Sequence, residues 1–249
     1  VFYSRLSVPA CVGLFVIFYC GNWSGIPLQD HSKHSTDGHT MLYLASQSPR
    51  RAELLQQIGV PFKVIDAPVD ETWLVNETLD NYVARVSVLK ARAAAPLLDA
   101  HDVILAADTA GMCDGEPLIK PRDETHALAM LMRMSGRTHT VSTAITVLQV
   151  AGGTQETRIV SSHVRFRTLH EIECRSYWAS GEPCDKAGSY AIQGLGAIFV
   201  ERLEGSYSGV MGLPLCETAA LLTQFGIPVW HTVTAQTPTS HHQNASFAS

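Results

Sequence analysis

Five apolar residues in a row, Val103-Ile104-Leu105-Ala106-Ala107, constrain this chain more than any other feature. A run without alternation is that of a strand covered on both faces, which calls for an α/β arrangement with helices packed on each side of a sheet. The run leads into Asp108-Thr109, where the strand is expected to end, and Ala110-Gly111 favours a short one. Ligands of open α/β sheets bind beyond the carboxyl ends of strands, so an acid there is a better functional candidate than one in a loop.

An earlier segment, LYLASQSPRRAELL at residues 42–55, reads as strand, turn and helix. Pro49 suits a first helical position, with Ser48 as its N-cap. The corner would carry free backbone N–H groups, the hydroxyls of Ser46 and Ser48, and the guanidiniums of Arg50 and Arg51. Helix N-termini and arginines both favour phosphate. Two readings are open on this segment alone, a phosphate cradle and a solvated surface turn.

The remaining elements follow in order. Gly59 is a helix stop, residues 61–65 form a second strand, and Asp70-Glu71 lies just past it. Leu79, Tyr82, Val83, Val86 and Leu89 recur at helical spacing behind a cap at Asn76 or Thr78, with Lys90 at the border of the apolar stripe. Gly115, Pro117, Lys120 and Pro121 read as a loop, and Asp123 opens a helix closed by Gly136. Residues 139–149 and 158–168 alternate and are joined by Ala151-Gly152-Gly153, a hairpin pattern. Thr168 and Glu171 have capping-box spacing for a helix ending at Gly181. Residues 181–194, GEPCDKAGSYAIQG, form a constrained polar loop; residues 197–203 read as a strand, 205–209 as a loop, and a last helix runs from Leu213 to near Gly226.

Composition narrows the classes of function. A formal net charge of −5 argues against a nucleic-acid partner, so an anion site must be local. The 6 cysteines form no C-x-x-C pair, as expected of reduced thiols in the cytoplasm. Most of the 11 histidines, among them His31, His34, His39, His231, His241 and His242, are in polar flanks without metal-binding spacing. Residues 1–40 carry an apolar run at 8–20, too short to span a bilayer comfortably, so no stable membrane association is expected. A targeting segment, a surface anchor and upstream sequence ahead of a start at Met41 compete, and the last is favoured because Met41 directly precedes the first strand. The expected organisation is an N-terminal extension at 1–40, a domain at 41–230 and a disordered polar tail at 231–249.

In sequence, LASQSPRRAELL, VDE (69–71), YVARVSVLKA (82–91), AADT (106–109), Lys120-Pro121, SGRTH (135–139), GEPCDKAGSYAIQG and GSYSGVMGLPL (205–215) resemble the Maf family of nucleoside triphosphate pyrophosphatases across residues 41–225. The resemblance implies an α/β fold like that of inosine triphosphate pyrophosphatase: a bent mixed sheet flanked by helices around a deep central cleft, often as a homodimer. It implies hydrolysis of a nucleoside triphosphate to the monophosphate and pyrophosphate with a divalent metal, Mg or Mn. By the same resemblance Ser46, Ser48, Arg50 and Arg51 hold the triphosphate, and Lys90 and Lys120 neutralise it. Glu71 and Asp108 bind metal, and Asp108 activates water. Thr109, Arg50 and Gln193 match positions tied to base choice, and Thr109 points to the dTTP/UTP branch rather than the 7-methyl-GTP branch. A non-catalytic nucleotide-binding regulator of cell division is the alternative class. The chain departs from the family at Ser162-His163, where many relatives have Thr-Glu.

Overall fold

The computed structural model describes residues 40–230. The expectations for residues 1–39 and 231–249, including Cys11, Cys20 and the flanking histidines, lie outside the described residues.

The chain runs β1 (Leu42–Ala45), α1 (Pro49–Gln57), β2 (Lys63–Val64), α2 (Leu79–Ala94), β3 (Val103–Cys113), β4 (Glu116–Leu118) and α3 (Glu124–Met134). It continues with β5 (Thr138–Gln149), β6 (Gln155–Phe166), α4 (Glu171–Ala179), β7 (Val200–Glu204), α5 (Tyr207–Met211) and α6 (Leu215–Gln224). Among the described residues the strands form one mixed sheet in the order β2-β1-β3-β5-β6-β7, with β4 also paired to β3. β1 is parallel to β2 and β3, and the remaining pairs are antiparallel.

The apolar run is covered as its composition requires. Val103, Leu105 and Ala107 face one side, packing with Leu54 and Leu55 of α1 and Leu221 and Leu222 of α6. Ile104 and Ala106 face the other, where they meet Ala91 and Ala94 of α2. A third cluster, built on Leu131, Met134, Phe166 and Phe199, joins α3 and α4 to the far end of the sheet. β6 alternates buried and exposed residues towards its end, the pattern of a strand with one wet face.

Several sequence expectations are corrected. β3 does not stop at Thr109 but runs through Cys113, and the expected loop after it is a hairpin returning as β4. Gly111 stays in the strand because β4 crosses there: a Cβ at this position would lie 2.9 Å from Leu118 Cδ1. The fourth helix is preceded by His170 rather than Thr168, with Glu173 accepting from the His170 N–H at 2.7 Å. Residues 195–199 form a tight helical turn before β7, and the expected loop at 205–209 contains the start of α5, capped by Ser206 on the Gly209 N–H at 3.0 Å. The second strand is confined to Lys63–Val64. The caps at Thr78 and Asp123 are as expected, accepting from Asn81 at 3.3 Å and His126 at 2.8 Å.

Candidate active site

β3 is flanked by β5 along one edge, but its other edge is shared. β1 covers Val103 to Ala106 and β4 covers Gly111 to Cys113, which leaves residues 107–110 without a strand beside them. Asp108 and Thr109 lie in this slot. Pleating sends them to opposite faces, Asp108 towards α2 and Thr109 towards α1.

On the α2 face, Lys90 Nζ lies 2.8 Å from Asp108 Oδ1 and 2.7 Å from Glu71 Oε1. Small Ala144, opposite Asp108 on β5, leaves room for this pairing. Burial pushes the Asp108 carboxyl up against the opposing pull of Lys90 and Arg51, with Glu71 adding to the rise. The segment carrying Glu71 is braced by Tyr82, whose hydroxyl donates to the Glu71 carbonyl at 3.0 Å and whose ring stacks on Trp73 at 4.0 Å. Tyr82 is pushed up to about 12, first by burial and then by Asp108 and Glu71.

On the α1 face, Ser48 occupies the N-cap position and Pro49 the first helical turn, but the Ser48 side chain caps nothing. Its N–H instead donates to Ser46 Oγ at 3.2 Å. The first-turn amides of α1 are therefore without a side-chain cap, the condition that favours an anion. Arg51 is buried and fixed by three bonds: Nε to Gly212 O at 2.8 Å, Nη1 to Ser46 Oγ at 3.1 Å and Nη2 to Thr109 Oγ1 at 3.1 Å. Burial lowers its pKa, countered by Asp108 and Glu71.

A cleft opens on this face. Ser48, Arg50, Arg51, Thr109, Lys120 and Gln193 all line it, so six of the ten sequence candidates converge on one wall. Glu71, Lys90 and Asp108 form a separate cluster across β3, and Ser46 stands with the cleft group, bonded to Arg51. Lys186 also lines the cleft, held against Asp185, and was visible in the sequence only as part of the dense 181–194 motif. That motif is tied down on both sides. The Gly188 N–H donates to Ile119 O at 3.0 Å, beside Lys120. Glu182 accepts from the Tyr177 hydroxyl at 2.7 Å and from the Leu195 and Gly196 amides at 2.9 and 3.0 Å. Tyr190, part of the cleft wall, meets the buried His139 Nε2 at 2.8 Å, and burial takes His139 down to about 4. At the site of the family departure, Ser162 bonds the Ser206 backbone and His163 is exposed, so no carboxylate stands there. Among the described residues no three His, Cys, Asp or Glu side chains gather as a metal cage.

The described cleft coincides with a known sequence pattern. The model of the Maf-like protein family matches residues 41–225. Proteins named dTTP/UTP pyrophosphatase are similar over nearly their whole length. One from Aromatoleum aromaticum is 46% identical over 76% of this chain and 97% of its own length. Another, from Vibrio vulnificus, is 48% identical over 74% and 98%. A third, from Ralstonia nicotianae, is 51% identical over 76% and 96%. A match that spans the sheet, its slot and both charged clusters makes this chain a member of the Maf family.

Proposed function

We propose that the chain is a nucleoside triphosphate pyrophosphatase that converts UTP and dTTP to the monophosphate and pyrophosphate. The observation that carries this reading is the open edge of β3 at residues 107–110, where a buried acid on one face of the strand is next in the chain to a residue of the cleft that cationic donors line on the other. A nucleoside triphosphate requires both. The first-turn amides of α1, Ser46, Ser48, Arg50 and Arg51 hold its phosphates, with Lys120 adding charge from the end of β4. Gln193, exposed at the cleft, has a donor and an acceptor with which to read a pyrimidine edge. The names of the three relatives support the choice of dTTP and UTP.

Asp108 is the proposed general base, taking a proton from the water that attacks the α-phosphorus. The α–β bridging P–O bond then breaks and pyrophosphate leaves. Lys90 favours the ionised form of Asp108 against the upward push of burial and neutralises charge growing on the phosphates. Glu71 and Asp108 fit a divalent cation. Lys90 engages only Oε1 and Oδ1, and among the described residues no side-chain donor is bonded to Oε2 or Oδ2. Mg²⁺ needs few protein carboxylates when phosphates and water complete its shell. Such a cation, Mg or Mn, would lower the pKa of the attacking water. A cytoplasmic homodimer with a domain at 41–230 belongs to the same reading. No helix among the described residues is long and apolar enough to cross a membrane.

Incubation with UTP, dTTP and 7-methyl-GTP in the presence of Mg²⁺, with products resolved by chromatography, tests the proposal. The expected result is monophosphate and pyrophosphate from UTP and dTTP. Turnover of 7-methyl-GTP alone would assign the sibling specificity, and binding without turnover would make the chain a regulator.

A further inference from the structure

We propose that Thr143, a buried residue of β5 outside the cleft wall, is a positioning residue that orients Thr109 and Arg51 through a one-way hydrogen-bond relay. The direction of the relay follows from its last member. Gly209 offers a carbonyl oxygen, which can only accept, 2.7 Å from Thr143 Oγ1. The Thr143 hydroxyl proton is therefore committed to α5. Thr143 Oγ1 must then accept from Thr109 Oγ1, 2.9 Å away and directly opposite in the β3–β5 register. With its own proton used, Thr109 Oγ1 accepts from Arg51 Nη2 at 3.1 Å. The guanidinium Nε returns to Gly212 O at 2.8 Å, one turn beyond the relay's end.

The relay closes a ring through β5, β3, α1 and the 209–212 segment. A Cβ on Gly212 would lie 3.5 Å from Arg51 Nε and 3.7 Å from Thr109 Oγ1, so this backbone runs beside both side chains at the cleft. Two consequences follow for a bound nucleotide. Arg51 cannot swing away, since three of its N–H groups are engaged by protein. Thr109 meets the ligand with its methyl group or a lone pair and has no proton to donate. Thr143 is 0% exposed and does not line the cleft, so its effect on the nucleotide passes through these two residues.

This inference rests on the proposed pyrophosphatase reading, and its test separates the two. Thr143→Val keeps the volume and removes the hydroxyl; Thr143→Ser keeps the hydroxyl and removes the methyl. KM and kcat for UTP are measured by pyrophosphate release, with melting temperature as a check on folding. T143V is expected to raise KM about tenfold, the effect of one buried hydrogen-bond link, with a smaller change in kcat. T143S is expected to hold KM within about twofold while melting lower, because it leaves a small void. A purely structural role gives the opposite ranking. An unchanged KM in T143V, or equal damage in T143S, overturns the inference. Should T143V fail to fold, T109V removes the middle link and must raise KM by the same about tenfold, and no rise there overturns it. If the unsubstituted protein cleaves none of the nucleotides, the functional reading fails. The same ordering is then read in Kd for UTP by calorimetry, and equal values, or no binding at all, reject the relay.

Discussion

Lys90→Met isolates the energetic role of the ion-paired cluster. Methionine keeps the apolar stem against α2's neighbours and removes the ammonium. The side chain of Glu71 is 51% exposed, so its pair with Lys90 contributes no more than about 1 kcal/mol. The side chain of Asp108 is only 7% exposed, and leaving it without its cation costs about 3 kcal/mol at pH values where it is ionised. That cost depends on pH in a fixed direction. The folded pKa of Asp108 lies above its unfolded value of 3.8 because burial outweighs Lys90 and Arg51. The native state thus binds the proton more tightly, and stability falls as pH rises through the folded pKa. Removing Lys90 takes away one of the groups that lower that pKa, so the K90M penalty is small near pH 4 and widens towards about pH 8. Urea unfolding of both proteins across this range measures it. The acid limb of the kcat/KM profile should also move to higher pH. A penalty independent of pH, or below about 1 kcal/mol at pH 8, would refute the argument that a desolvated Asp108 depends on Lys90.

Other substitutions probe neighbouring parts of the site. Asp108→Asn should lower kcat by about 10²–10⁴ in the pyrophosphate-release assay and raise the melting temperature at neutral pH, because it removes a charge that burial disfavours. Glu182→Ala deletes the acceptor of three hydrogen bonds that brace the Gln193 loop; a loss of about 2–3 kcal/mol in urea unfolding and a higher KM for UTP are expected. Ser189 is buried with φ at 59° and its Oγ has no partner among the described residues, so Ser189→Gly should stabilise the protein by about 1 kcal/mol, read as a rise in melting temperature.

How far these features were legible in the sequence depends on the range of the interaction. Local chemistry was readable: Pro49, Thr78, Asp123 and Gly136 mark helix boundaries through groups within four residues of one another. The double-sided burial of residues 103–107 followed from composition alone. Gly111 misled, because a strand glycine looks like a stop until the strand crossing it is known, and that strand, β4, is only three residues long. The turn of helix at α5 spans five residues, too few for a periodic pattern. Thr143 could not be singled out at all. Its significance lies in standing opposite Thr109, and register is a property of two paired strands rather than of either one.

The slot in the sheet explains why the candidates arrive as two clusters. Alternation along β3 sends Asp108 to Lys90 on one face and Thr109 to Arg51 on the other. Through an intact sheet, no ligand could touch both. β1 ends at Ala45, level with Ala106, and the chain turns through Ser46 to Pro49, which lacks the N–H needed to extend a ladder. β4 begins its pairing only at Gly111. Between them β3 is open on one edge for the four residues 107–110, and on the proposed reading a phosphate chain in that opening would have Arg51 on one side and Lys90 with Asp108 on the other. Asp108 stands mid-strand with a side chain only 7% exposed, on the stretch of β3 that has no strand along one edge. On the proposed reading, the parallel half of the sheet supplies the helix end that holds phosphate and the antiparallel half the continuous support, which puts the reacting centre where β3 changes partners.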